Sequence, residues 1–130
     1  MPSFGSVSKK HRSTLHPDLQ RLCDEVIKYV DYSIVCGHRG EADQNRAFNQ
    51  ELSKVQFPNG KHNSLPSKAV DVSPYPLNWN DREAFTLLSG IFLGVAFMLG
   101  IKIRIGSDWD GDFNMLEHTF IDRPHIELVD

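Results

Sequence analysis

Gly60-Lys61-His62-Asn63-Ser64-Leu65-Pro66-Ser67-Lys68-Ala69-Val70-Asp71-Val72-Ser73-Pro74 is the stretch around which the rest of the chain arranges itself. Its last part, Ala69 to Val72, is short and apolar and is stopped by Ser73-Pro74, which predicts a strand. Asp71 stands inside that strand. A carboxylate among apolar strand residues is costly unless it is paired, hydrogen-bonded or bound to a metal. The residues before the strand, Gln56 to Lys68, form a long polar loop punctuated by Pro58, Asn59, Gly60, Asn63 and Pro66. A loop of that length in a compact domain is usually functional or disordered. His62 lies in it. Taken alone, His62 reads as a solvated loop histidine, and Asp71 divides evenly between an edge residue facing water and a ligand.

Upstream, Pro17 suits a first helical position, and Leu19, Leu22, Cys23, Val26, Ile27 and Val30 share one helix face, which predicts a helix over 17–30. Tyr32 to Cys36 reads as a strand ended by Gly37. A second helix is predicted from Glu41 to about Lys54, with Ala47, Phe48 and Leu52 inward. Downstream, Asn80 as N-cap with Glu83 in the capping-box position starts a third helix that runs to Leu99 and stops at Gly100. Ile101 to Ile105 is a strand, Gly106 to Asp112 a polar turn, and His125 to Val129 a final strand. Residues 1–15 read as a loose arm, and 16–130 as the single domain. Short connections, and last strands that follow one another directly, predict an α+β fold: a mostly antiparallel sheet with helices packed on one side.

The whole chain has 130 residues, 40% hydrophobic and 24% charged, as expected of one soluble globular domain. A net charge of −3 with well-mixed signs excludes nucleic-acid binding by counterion release and a polybasic membrane anchor. A monomer is expected. Met1 to Arg12 is polar and has no apolar run, so no secretory signal is read there and a cytoplasmic product is expected. Ala84 to Ile101 has no charged residue and contains Gly90-Ile91-Phe92-Leu93-Gly94. A membrane span needs about 20 apolar residues. Thr86, Ser89 and the glycines dilute this run, and a span here would part His125 from His62 and Asp71. The expectation is a buried central helix with no stable membrane insertion. Cys23 and Cys36 are not in a CxxC pair and read as buried free thiols.

Zinc catalysis needs three rigidly held protein ligands and one open position. Beside His62 and Asp71, a second candidate group is Asp122-Arg123-Pro124-His125-Ile126-Glu127-Leu128. His125 and Glu127 share one strand face, Ile126 and Leu128 the other. Asp122, three residues before His125, can lean over the same site. The bland alternative is a surface strand with its polar residues outward. Asp108-Trp109-Asp110-Gly111-Asp112 begins like a calcium loop, but Phe113 and Thr119 occupy the positions where an EF-hand needs glycine and glutamate. His118 reads as structural, and His11, His16 and His38 have no ligand partners in view.

Together the two groups resemble the zinc D-Ala-D-Ala and L-alanyl-D-glutamate peptidases of bacterial and phage cell-wall lysis (the VanY and phage endolysin type), over roughly residues 30–130. The resemblance implies a hedgehog/D-Ala-D-Ala peptidase-like fold, with His62, Asp71 and His125 as ligands of Zn2+ and Asp122 as general base. Gly37-His38-Arg39 followed by Gln44 is similar to the family's Gly-x-Arg turn and helix glutamine. This implies that Arg39 contacts substrate and steadies the charged tetrahedral intermediate. Gly106-Ser107-Asp108-Trp109 resembles the Gly-x-Asp-Trp turn of the family and is expected to line the cleft. Three departures stand out: eight residues separate His62 from Asp71 where six are commoner, Gly60 replaces a serine, and the acid is Asp122 where many relatives have Glu. They point to the endolysin branch. The implied substrate is the L-Ala-D-Glu bond of peptidoglycan stem peptides, met after release from the host cytoplasm. The rivals are a D-Ala-D-Ala carboxypeptidase on the same scaffold and a non-catalytic, zinc-stabilised wall-binding module. Glu127 is left between orienting a ligand imidazole and a purely structural place.

Overall fold

The structure is a computed structural model and describes residues 2–51, 55–106 and 123–129. In chain order the elements are α1 (Ser6–Arg12), α2 (Pro17–Val26), β1 (Tyr32–Cys36), α3 (Glu41–Asn49), a 3-10 turn (Lys61–Asn63), β2 (Ala69–Pro74), α4 (Arg82–Leu99), β3 (Ile103–Ile105) and β4 (His125–Leu128). The four strands form one sheet in the order β1-β2-β4-β3, with every neighbouring pair antiparallel. This is the α+β arrangement that the short connections predict.

Strand alternation sorts the sheet into two unlike faces. Tyr32, Ile34, Val70, Val72, Ile126 and Leu128 point into one buried cluster, under α2 and α4. Asp71, His125 and Glu127 occupy the intervening positions and face the other way. Leu19, Leu22 and Val26 of α2 and Leu88, Phe92 and Ala96 of α4 complete the core. Each of the Leu, Ile, Val and Phe side chains contributes about 1.5–3 kcal/mol on burial. Tyr32 is the keystone: its ring meets Phe92 edge-on with centroids 5.2 Å apart, and its hydroxyl donates to Cys23 O at 2.7 Å.

The helix ends follow local chemistry. Pro17 opens α2, and His16 Nδ1 accepts from Asp18 N at 3.1 Å. The α2 helix ends at Val26 rather than Val30, because the next amides turn to tighter partners (Lys28 N to Glu25 O, Tyr29 N to Val26 O). Asp81, not Asn80, caps α4 by accepting from Ala84 N at 3.1 Å. Asn80 is one residue early because its own amide is held by Asn78 Oδ1 at 3.0 Å. Gly100 ends α4 with φ 71, a left-handed conformation suited to glycine. In α3 the inward residue is Gln44, while Ala47 and Phe48 are half-buried and Leu52 lies outside the described residues.

The loose arm expected over 1–15 does not hold for its described residues. In α1, Ser8 Oγ accepts from Ile34 N at 3.0 Å, which covers a backbone donor on the edge strand β1. Phe4 packs edge-on against Tyr32 with centroids 5.4 Å apart, and Leu15 is 1% exposed. Ser67 clasps the segment from the far side, donating to Thr14 O and accepting from His16 N, both at 2.8 Å. Among the described residues of this segment the large apolar residues that pack inward are Phe4, half-buried, and Leu15, buried, too far apart to form a helical pattern in the sequence.

The apolar helix α4 is buried on one face only, with Leu87, Phe97 and Met98 exposed on the other. Its 18 residues are long and apolar enough to cross a membrane by length and composition, with 33% of that window buried in the fold. Both cysteines are free, Cys23 buried and Cys36 half-buried.

Candidate metal centre

Cross-strand register builds the centre. Asp71 on β2 pairs with His125 on β4, so their side chains leave the same face of the sheet. The 3-10 turn brings His62 over them. Asp71 Oδ1 lies 3.2 Å from His62 Nε2 and 3.4 Å from His125 Nδ1. The two imidazoles stand edge to face, with centroids 5.1 Å apart. One ligand atom from each of the three residues falls within 4.8 Å of the others. All three ligands expected from the sequence therefore converge.

The outer nitrogens are also held. His62 Nδ1 donates to Gly37 O at 2.7 Å, leaving Nε2 toward the centre. His125 Nε2 donates to Glu127 Oε1 at 2.8 Å, leaving Nδ1 toward the centre. Glu127 is held in turn by Arg104 Nη2 at 2.8 Å. Carbonyl and carboxylate partners of this kind fix the tautomer of a metal-ligating histidine. Two imidazoles with their tautomers set and a carboxylate are donors of the kind that could hold a divalent metal ion.

Electrostatics point the same way. Burial would raise the Asp71 carboxyl, but His62 and His125 pull it well below the usual carboxylate range. Burial would lower His62, yet Asp71, with help from Cys36, lifts it to about 10. His125 is raised against its burial by Asp71 and Glu127, and Glu127 is lowered against its burial by His125 and Arg104. Without a cation, the neighbouring carboxylates favour the protonated imidazoles. A divalent ion would stand in place of those protons.

Arg39 reaches the centre by way of a bulge. Ile34 pairs with Val72, but Cys36 pairs with Asp71, so one extra residue enters β1. Cys36 therefore shares the metal-centre face, where simple alternation from Tyr32 and Ile34 would put it in the core. Gly37 follows, and a Cβ there would collide with Thr14 Oγ1 and lie 2.6 Å from His11 O. The turn then sets Arg39 N on His62 O at 2.8 Å and Arg39 Nη2 3.4 Å from Asp71 Oδ2.

A buried amide network holds the guanidinium from behind. Arg39 Nη1 and Asn63 Nδ2 both donate to Gln44 Oε1 at 3.1 Å. Gln44 Nε2 donates to Val55 O at 2.6 Å, and Asn63 Oδ1 accepts from Gly60 N at 2.8 Å. A Cβ on Gly60 would stand 2.7 Å from Asn63 Oδ1, so the glycine found in place of the expected serine is what lets this network close.

Asn63, Cys36 and Arg104 escape the sequence reading. Asn63 offers only its place beside His62 as a signal. The position of Cys36 depends on the bulge, and that of Arg104 on its pairing with Glu127. Asp122, Ser107 to Trp109, His118 and the calcium-like loop lie outside the described residues. Gly106, the first residue of the Gly-x-Asp-Trp motif, donates its N–H to His125 O at 2.8 Å. His16 is the cap of α2, and His38 Nδ1 lies 3.0 Å from Ser64 O.

Known proteins show the same arrangement of chain. The phage L-alanyl-D-glutamate peptidase family matches residues 2–129. The L-alanyl-D-glutamate peptidase of Escherichia phage T5 is 32% identical over 134 residues, covering 97% of each chain. The crystal structure of the Serratia marcescens L-Ala D-Glu endopeptidase ChiX superposes with a TM-score of 0.76 at 23% identity, over 98% of this chain and 90% of that one, and shares the fold. With the match spanning nearly every residue and the His62–Asp71–His125 cluster in place, the chain belongs to the phage L-alanyl-D-glutamate peptidase family.

Proposed function

We propose that the chain is a zinc-dependent endopeptidase that hydrolyses the L-Ala-D-Glu bond of peptidoglycan stem peptides, acting as an endolysin. The convergence of His62, Asp71 and His125, in a chain of this family, carries the reading. Zinc held there would supply Lewis acidity and lower the pKa of water from about 15.7 toward roughly 7. The protein's own groups do the rest. Glu127 and the Gly37 carbonyl hold the two imidazoles in the tautomers that ligation needs. Arg39 is already 3.4 Å from Asp71, a long contact that leaves the guanidinium able to turn toward an oxyanion developing on the alanyl carbonyl. Asp122 takes one proton from the attacking water and passes it to the departing glutamyl amine. That role rests on its place three residues before His125.

Digestion of purified stem peptides, followed by mass spectrometry, tests this. The expected products carry a new alanyl carboxylate and a new D-glutamyl amine, and chelation abolishes their formation. Release of terminal D-Ala would instead show the carboxypeptidase. Wall binding without hydrolysis in the zinc-loaded protein would show the non-catalytic module. Storage in the host cytoplasm is part of the proposal: cells expressing the protein are expected to stay intact until their membrane is permeabilised.

A further inference from the structure

We propose that Ser73 and Arg123 form a subsite for the free carboxylate of the D-glutamyl residue on the leaving side of the scissile bond, an assignment that rests on the L-Ala-D-Glu reading above. Among the described residues, two buried side-chain polar atoms have no hydrogen-bond partner, and they are Ser73 Oγ and Arg123 Nε. Leaving a buried donor unsatisfied is expensive, so such atoms are rare and each needs an explanation.

The two atoms belong to neighbouring positions. Past the Asp71–His125 pair, Val72 N donates to Pro124 O at 2.9 Å, so the β2–β4 ladder continues and sets residue 73 across from residue 123. Directly opposed residues in such a ladder have Cβ atoms about 5 Å apart. Strand alternation puts Ser73 on the face that carries Asp71, one pleat, or about 7 Å, along the strand. The Arg123 main chain is anchored by Ser89 Oγ of α4, which donates to its carbonyl at 3.1 Å, and Ser89 is 1% exposed. Ser73 is equally buried, at 1%. The pair thus borders the metal centre on a rigid ladder.

Both groups can donate, and the guanidinium is permanently charged. Two donors lacking an acceptor define a place for an anion, and a planar fork beside a hydroxyl suits a carboxylate. The proposed substrate carries one close to the bond that is cut. A glutamyl residue linked through one of its carboxyls keeps the other free, and here that residue directly follows the bond to be cut. Binding it would satisfy both orphaned atoms. A substrate with a neutral group in that place would leave them unsatisfied.

The test uses two stem peptides that differ only in whether the free D-glutamyl carboxyl is an acid or its carboxamide. The zinc-loaded wild-type protein is expected to favour the acid by at least about tenfold in kcat/KM. Arg123→Gln is expected to bring that ratio close to one, chiefly by raising KM for the acid. Ser73→Ala, which removes a single buried hydroxyl, is expected to narrow it in the same direction and serves if Arg123→Gln does not fold. A ratio that stays at the wild-type value in both variants overturns the subsite, and so does an equal fall on both peptides, the mark of a merely structural role. Equal cleavage of the two peptides by the wild type would remove the subsite and leave the L-Ala-D-Glu reading standing. Cleavage of neither would remove both.

Discussion

Arg104 and Glu127 face each other across β3 and β4, and their side chains meet at 2.8 Å behind His125. Glu127 is therefore fixed from one side while it holds the His125 ring from the other at 2.8 Å. Glu127→Ala is expected to lower zinc affinity by about 10–100-fold, as loss of a ligand's hydrogen-bond partner does elsewhere. Arg104→Met should cost less, because Arg104 is 43% exposed and acts through Glu127. Titration against a chromophoric chelator measures both. Wild-type affinity in Glu127→Ala would assign the carboxylate a purely structural place.

The ligands and the base should separate cleanly in two variants. Loss of His62 removes one of three donors, so His62→Ala is expected to lose bound metal. Asp122→Ala is expected to keep its zinc and lose hydrolysis. Metal content by atomic emission, set beside peptide turnover, checks the pair. Normal hydrolysis by Asp122→Ala would move the base elsewhere.

Stability should change with pH in opposite directions with and without metal. In the metal-free protein His62 is raised from 6.5 to about 10, so its contribution is complete below pH 6.5 and is lost as pH rises through about 10. His125 is raised as well and acts in the same sense. Asp71 is depressed, so its contribution is present above 3.8 and is lost as pH falls below that. Thermal melts in chelator are expected to show falling stability from pH 6.5 to 10. Zinc competes with the imidazole protons, so its affinity should rise over the same window. A flat chelator profile would contradict the charged cluster.

Two glycines should respond with opposite signs. Gly37→Ala drives a methyl group into Thr14 Oγ1 and the His11 carbonyl, and overpacking of this kind costs about 1–3 kcal/mol. Gly90 lies inside α4 with nothing within 4 Å of an added Cβ, so Gly90→Ala should stabilise by about 0.5–1 kcal/mol. Denaturant midpoints would report both.

Asn63→Ala removes donors to Gln44 and to the Arg39 carbonyl and leaves Gly60 N without its acceptor. Arg39 then loses part of its backing, while His62, Asp71 and His125 remain. The expected result is a lower kcat with an unchanged zinc content. Loss of zinc in this variant would show instead that Asn63 supports the His62 turn.

The strands and the starts of α2 and α3 were legible because each depends on short-range chemistry, whereas the candidate triad was legible only through the motifs that resemble the family. Ala69-Val70-Asp71-Val72 places a carboxylate where only a partner makes it tolerable, and His125-Ile126-Glu127-Leu128 alternates in a way that sets both polar residues on one face. The α1 helix was not legible, because Phe4 and Leu15 find their partners on Tyr32 and beside Ser67, far along the chain.

What the sequence determined is therefore the strands, the helices α2, α3 and α4 and the α+β class, through local periodicity, and, through the resemblance of its motifs to a known family, which three residues to expect at the metal site. Tertiary structure alone decided which groups stand behind those residues. A one-residue bulge turns Cys36 to the Asp71 face, strand register puts Arg104 on Glu127, and a closed loop joins Gln44, Asn63 and Arg39. Each of these is a pairing between distant segments, and such pairings are set by how the sheet assembles and not by any local pattern.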